Sequence, residues 1–295
     1  MLPGNISRRG RTDRRGRLDR RVFRVLLGWL GAAALAYLAV CALMMWQEES
    51  FIFFPTRFPH GDWNPLLPVE DAWFEAADGV RLHGWFLAHP KPRYVVLYCH
   101  GNAGNITHRA DILEDIHRHL EASVLVWDYR GYGRSEGRPT EQGVLLDAEA
   151  ARQWLARRTG WPVDRLVLWG HSLGGAVAVH LAASGGAGAL VLESTFPSLP
   201  DVAAFHYPWL PVRWLMRNRL DAQGLIGRYH GPVFQSHGQA DSIVPIHLGR
   251  KLFAAANPPK QFLQIPQADH NDPLGPEYYR EVKKFLENHL FRSLP

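Results

Sequence analysis

Cysteine is scarce: Cys41 and Cys99 are the only two in 295 residues, which excludes a disulfide framework and any cysteine-rich zinc module. Lysine is nearly as scarce, five among 33 basic residues, so positive charge here means arginine and points to GC-rich coding in a bacterium. No internal repeat occurs, and the one biased tract is an arginine-rich N-terminal arm. Apolar residues reach 46% and charged residues 21%, which excludes disordered and collagen-like chains and leaves ample material for one large core.

The net charge of +5 is unevenly placed. Nine arginines between Arg8 and Arg24 face only Asp13 and Asp19, so residues 1–24 form a basic arm of net +7 and the remainder carries −2. A near-neutral folded part argues against a nucleic-acid groove. The neighbouring segment gives the arm another meaning. Val25 to Trp46 is a 22-residue run without a charged side chain. At about 1.5 Å per helical residue it spans the ~30 Å of a bilayer core. Arginines before it and Glu48-Glu49 after it place the N-terminus in the cytoplasm and residue 50 onward across the membrane, in the periplasm for a bacterium. Ala34-Leu35-Ala36 resembles a signal cleavage site, but ten more apolar residues come after it, which favours an uncleaved anchor at 25–46.

Residues 50–295 alternate short apolar runs with helical patterns, without a linker between them. Strands are expected at Ala72–Ala76, Arg81–Leu87, Tyr94–Cys99, Ser123–Asp128, Leu166–Trp169, Ala189–Leu192, Val233–His237 and Gln261–Ile265. Helices are expected at Thr107–Leu120, Thr140–Thr159, Gly175–Ala183, Leu248–Ala256 and Tyr278–Leu290. Continuous Val/Leu runs suit strands buried on both faces, so the fold is α/β: a mostly parallel sheet with helices on both faces. The tight Asp78-Gly79 connection makes its first two strands an antiparallel hairpin.

One motif carries chemistry. Gly170-His171-Ser172-Leu173-Gly174 is a G-x-S-x-G set between a strand and a small-residue helix. Small neighbours let a serine stand on a sharp turn at a helix N-terminus, where developing negative charge is favoured. The Leu173 N–H points to one half of an oxyanion hole. Such a serine needs an acid and then a histidine later in the chain. Asp241, after the strand ending at His237, and His270, after the strand ending at Ile265, meet that order at the carboxyl edge of the sheet. Asp269, Asp272 and Glu193 remain rivals for the acid, and His237 for the base. The loop His100-Gly101-Asn102 comes after a strand where a second oxyanion donor belongs, and the Asn102 N–H is the candidate.

Together these elements resemble the α/β-hydrolase superfamily. The loop Asp128–Gly137 is similar to that superfamily's turn after the next strand. The anchor, Phe51–Arg57, the His100–Asn105 loop and His270-Asn271-Asp272 narrow the resemblance to membrane-anchored, Bem46-like α/β-hydrolase-domain proteins. The resemblance implies an α/β-hydrolase fold, a Ser172–His270–Asp241 triad and hydrolysis of a small-molecule or lipid-like acyl ester or thioester. It implies no metal or organic cofactor, and a peptidase or a non-catalytic scaffold remains open as an alternative.

Two features are weaker. Residues 196–230, rich in Trp, Phe, Leu and Pro, fall where the fold commonly inserts a short cap, either as an acyl-chain wall or as helices packed on the sheet. His108, His117 and His119 share a helix candidate, but the last two are two residues apart and have no carboxylate or cysteine at ligand spacing.

Overall fold

The computed structural model describes residues 12–290, with side chains from Arg20 onward; residues 1–11 of the basic arm lie outside the described residues. Two compact units divide the chain between Gln47 and Glu48. Among its described residues the first forms one helix, α1 (Thr12–Trp46). Its segment Arg20–Trp46, 27 residues, is long and apolar enough to cross a membrane.

The second unit is an eight-stranded sheet between two helical layers. Its strands are β2 (Glu70–Glu75), β3 (Arg81–Leu87), β4 (Tyr94–Cys99), β6 (Ala122–Trp127), β7 (Val167–His171), β8 (Ala189–Glu193), β9 (Val233–Gly238) and β10 (Lys260–Ile265), in the spatial order β10-β9-β8-β7-β4-β6-β3-β2. A separate two-residue pairing joins β1 (Phe54–Pro55) to β5 (Ala103–Gly104). The β2–β3 and β3–β6 pairs are antiparallel and the other pairs of the main sheet are parallel. The hairpin turns at Gly79, whose φ of +81° suits a residue without a Cβ. Strands β4 and β6 are buried along their whole length, as their unbroken apolar runs require.

Helices α3 (Ala110–Leu120) and α10 (Pro276–Leu290) cover one face. The other is covered by α4 (Glu141–Thr159), α5 (Leu173–Gly185), α8 (Ala222–Ile226) and α9 (Ile246–Ala255). Local chemistry sets several ends. The Thr140 hydroxyl caps α4 by accepting from the Gly143 N–H, and Gly160 ends it at φ +73°. The single helix expected at Thr107–Leu120 is two elements. Asn105 caps a 3₁₀ turn at Ile106–Arg109 through the Thr107 N–H, and α3 starts only afterwards. α5 begins at Leu173, two residues before the expected Gly175, and β7 runs through His171, so only Ser172 separates them.

The cap region is three short helices: α6 (Leu199–His206), α7 (Val212–Leu215) and α8. Phe196, Leu210, Leu220 and Tyr229 are buried, while Phe205, Trp209 and Trp214 are exposed. Part of this stretch therefore packs on the body of the fold, and part faces outward. The second unit opens with α2 (Glu48–Ile52), whose first residue is a buried glutamate.

Candidate functional site

Ser172 occupies the one-residue turn between β7 and α5 with φ 53° and ψ −118°, a region that disfavours residues carrying a Cβ. Surrounding backbone holds it there. Its N–H donates to the Glu193 carbonyl at 2.8 Å, and its carbonyl accepts from Gly175 N at 3.0 Å and Thr195 Oγ1 at 2.8 Å. The motif glycines are needed for close approach. A Cβ on Gly170 would overlap the Gly174 carbonyl, and one on Gly174 would overlap the Cys99 carbonyl at the end of β4. The next N–H, that of Leu173, is the first of α5, of the kind left without an intrahelical acceptor.

Asp241 and His270 lie on the loops after β9 and β10 and meet directly, with Nδ1 of His270 2.8 Å from Oδ2 of Asp241. Both residues are buried. The other carboxylate oxygen accepts from the N–H groups of Ile243 (3.0 Å) and Val244 (2.7 Å). Burial opposes ionisation of Asp241, but His237, His270 and the Val244 N–H outweigh it and hold the carboxyl well below the usual range. An ionised acceptor makes Nδ1 of His270 the protonated nitrogen and leaves Nε2 as the basic one.

A neighbouring histidine ties this pair to the serine turn. His171 Nε2 lies 3.0 Å from the His270 carbonyl, so it donates, and the two rings stand 5.0 Å apart. Burial, then the nearby His270, pushes the His171 imidazole down to about 3, which keeps it a neutral donor. Occupying the unspecified position of the motif, His171 gave no sequence signal.

The rivals have other duties. Asp269 accepts from the Ser242 N–H and hydroxyl and from the His270 N–H, joining the two loops through backbone. Asp272 accepts from the Asp269 N–H. His237 is fully buried and donates from Nε2 to the Val244 carbonyl at 2.7 Å, while lying 3.3 Å from Asp241. Glu193 is buried beside Tyr278 and Trp169, and burial pushes its carboxyl up to about 7.

Asn102 sits on the loop after β4. Its side-chain amide donates to the Ile52 carbonyl (2.7 Å), and its carbonyl accepts from Phe54 N (2.9 Å) and the Tyr132 hydroxyl (2.7 Å). Its N–H makes no backbone hydrogen bond among the described residues. The loop reaches the serine through Gly101, where an added Cβ would lie 3.7 Å from the Ser172 Cβ and 3.2 Å from His171 Nδ1. His100 is buried against Tyr129, with ring centroids 4.3 Å apart, and donates to the Gly101 carbonyl. Burial, then the Arg109 charge, lowers it to about 3. The strap Ile52–Thr56 that supports this loop falls within Phe51–Arg57, a segment that carries the family resemblance, but nothing in the sequence names its partner.

The histidines of the expected helix have other partners: His108 Nδ1 accepts from the Asn105 N–H, His117 Nδ1 donates to the Ala122 carbonyl, and His119 stacks on Tyr279 with centroids 5.1 Å apart. Contrary to expectation a carboxylate does stand at helical spacing, Asp115, 3.8 Å from His119. Among the described residues no three His, Cys, Asp or Glu side chains gather as metal ligands would.

Residues 94–221 match a family model described as the alpha/beta hydrolase fold. The chain is 41% identical over 251 residues to an uncharacterised protein of Mycobacterium tuberculosis, covering 81% of this chain and 89% of that one. It is 32% identical to the alpha/beta hydrolase domain-containing protein WAV2 of Arabidopsis thaliana (84% and 90% covered). With protein bem46 of Schizosaccharomyces pombe it shares 30% identity (90% and 94% covered). Among solved structures, the Pyrococcus furiosus esterase Pf2001 superposes with a TM-score of 0.67 at 21% identity, covering 81% of this chain and 98% of that chain. Acetyl xylan esterase 1 from Thermoanaerobacterium superposes at 0.59 and 19%, covering 76% and 83%.

Proposed function

This chain belongs to the α/β-hydrolase superfamily as a Bem46-like member, and we propose that it is a membrane-anchored serine hydrolase cleaving an acyl ester or thioester. The observation that carries this reading is the Asp241–His270 hydrogen bond, linked through His171 to the strained turn of Ser172. The esterase names among its fold neighbours are in keeping with an ester.

In the proposed reaction Ser172 Oγ attacks the acyl carbonyl and passes its proton to His270 Nε2. Asp241 holds the imidazole by Nδ1 and stabilises the cation. The oxyanion accepts hydrogen bonds from the Leu173 and Asn102 N–H groups. The tetrahedral intermediate collapses as His270 protonates the departing alkoxide or thiolate, leaving an acyl-serine. Water then attacks that ester while His270 takes its proton, and the acid leaves as His270 returns that proton to Ser172 Oγ. The substrate is a small or lipid-like acyl compound, and no metal enters these steps.

The arginines before α1 and Glu48-Glu49 after it favour an N-terminus in the cytoplasm and an extracytoplasmic hydrolase domain at 50–295, with residues 196–230 as its cap.

Fluorophosphonate labelling of membranes containing the full chain tests the reading. Ser172→Ala is expected to abolish labelling and to lower kcat/KM on p-nitrophenyl esters about 10⁴-fold or more. Undiminished labelling of that variant overturns the assignment.

A further inference from the structure

We infer that the cap helices form a second membrane contact, with Trp214 and Phe205 seated in the interface of the same bilayer that holds α1. The inference rests on reading α1 as an anchor.

Its first support is the fastening of Glu48. This side chain is 6% exposed, and its Oε1 accepts from the N–H groups of Arg217 (3.0 Å) and Asn218 (2.8 Å). Oε2 accepts from Arg217 N at 3.1 Å and Nε at 3.4 Å. The first residue of the second unit is therefore bonded to the cap. The apolar segment ends at Trp46, so Gln47 alone separates the end of the anchor from Glu48. Two extended residues reach only about 7 Å. Covalent linkage alone therefore keeps Glu48, and the Arg217–Asn218 backbone bonded to it, within short reach of the end of the apolar segment.

The second support is the composition of that stretch. Trp214, three residues before Arg217, is 89% exposed, and Phe205 is 50% exposed. Phe51, on α2 itself, is 49% exposed. The side chains of Arg213 and Arg217 are also largely exposed, while their carboxylate partners, Asp201 and Glu48, are buried. Exposed aromatic rings beside guanidinium groups suit the headgroup region, where indole and phenyl rings enter the acyl boundary and arginine meets phosphate.

The contact also reaches the candidate site. His206, at the end of α6, donates from Nε2 to the Ile243 carbonyl at 2.8 Å, and the Ile243 N–H donates to Asp241. Seating the cap in lipid thus places the Asp241 loop beside the leaflet from which a lipid-like acyl substrate would come.

The test uses the full chain in vesicles of phosphatidylcholine and phosphatidylglycerol, with or without bromines at positions 6 and 7 of the acyl chains. Subtracting the emission of Trp214→Phe isolates Trp214, and Trp73→Phe isolates an exposed indole on the edge strand β2 as a control. Both are conservative changes at exposed positions, and circular dichroism checks the fold. The Trp214 component is expected to be blue-shifted and quenched roughly twofold or more by bromolipid, as for a ring at the headgroup–acyl boundary. The Trp73 component is expected to be unaffected. A chain that floats with the vesicles while Trp214 stays unquenched overturns the cap contact and spares the anchor. Failure to float removes both. A Trp214 signal that responds to protein density and not to bromolipid would assign the surface to a second copy, and overturns the proposal equally.

Discussion

Asp241 and His270 meet through their side chains, whereas Asn102 offers a backbone N–H and is held by its side chain and carbonyl from a segment outside the main sheet. On the proposed reading, the acid–base side depends on residue identity, because only a carboxylate and an imidazole give that hydrogen bond and that charge. The proposed oxyanion side depends on backbone placement, and many residues could present the same N–H. Its security comes from Ile52, Phe54 and Tyr132, none of which has to react. One half is fixed by chemistry and the other by carpentry, so substitutions should separate them by size.

The largest separation is expected for Asp241→Asn. Loss of the carboxylate changes the tautomer and removes the stabilising charge, and kcat/KM should fall about 10⁴-fold. Because the Asp241 carboxyl is held low, it stays ionised from pH 5 to 8, and an acid limb in that range reports another group. The stability it contributes is present above the ordinary aspartate value of ~3.9 and is lost as pH falls towards its lowered value.

Below both halves lies Glu193, whose carbonyl holds the Ser172 N–H and whose carboxyl is raised to about 7. The unfolded chain ionises this group near ~4.3. Between the two values the unfolded state binds fewer protons, so stability falls as pH rises from about 4.5 to 7 and then levels. Glu193→Gln, neutral throughout, should therefore gain roughly 2–3 kcal/mol on wild type between pH 4.5 and 8. Urea midpoints across that range provide the check, and a difference that ignores pH would mean the charge is not responsible.

The smallest effect is expected for Asn102→Ala, which keeps the N–H and loses the hydrogen bond to Ile52. A five- to tenfold fall in kcat, about 1 kcal/mol, should leave the shape of the pH profile unchanged. If its kcat/KM fell as far as that of Asp241→Asn, the contrast between the halves would be wrong.

The same contrast explains what could be read before any coordinates. Ser172, Asp241 and His270 stood out as candidates because the side chains a serine hydrolase would need are scarce types in a required order at strand ends, and the parallel core stood out because its apolar runs are continuous. The β1–β5 pairing did not, since two residues a side carry no periodicity. The cap helices α7 and α8, of four and five residues, are too short for a 3.6-residue pattern to repeat. His171 was hidden for another reason: its hydrogen bond joins residues 99 positions apart, and nothing local selects an imidazole there. The expected helix Thr107–Leu120 divides because Asn105, two residues before Thr107, caps a 3₁₀ turn at Ile106–Arg109, and α3 starts only at Ala110.

The stitching of Glu48, Ile52 and Phe54 has a practical side. A soluble version for crystallography or screening should keep Glu48 as well as everything after it. Trimming to Pro55 would discard the acceptor for the Asn102 amide, the donor to its carbonyl and the clasp on Arg217 and Asn218 in a single cut. Such a fragment would retain Ser172, Asp241 and His270 while losing the support of the Asn102 loop, and its weakness would say little about the full chain.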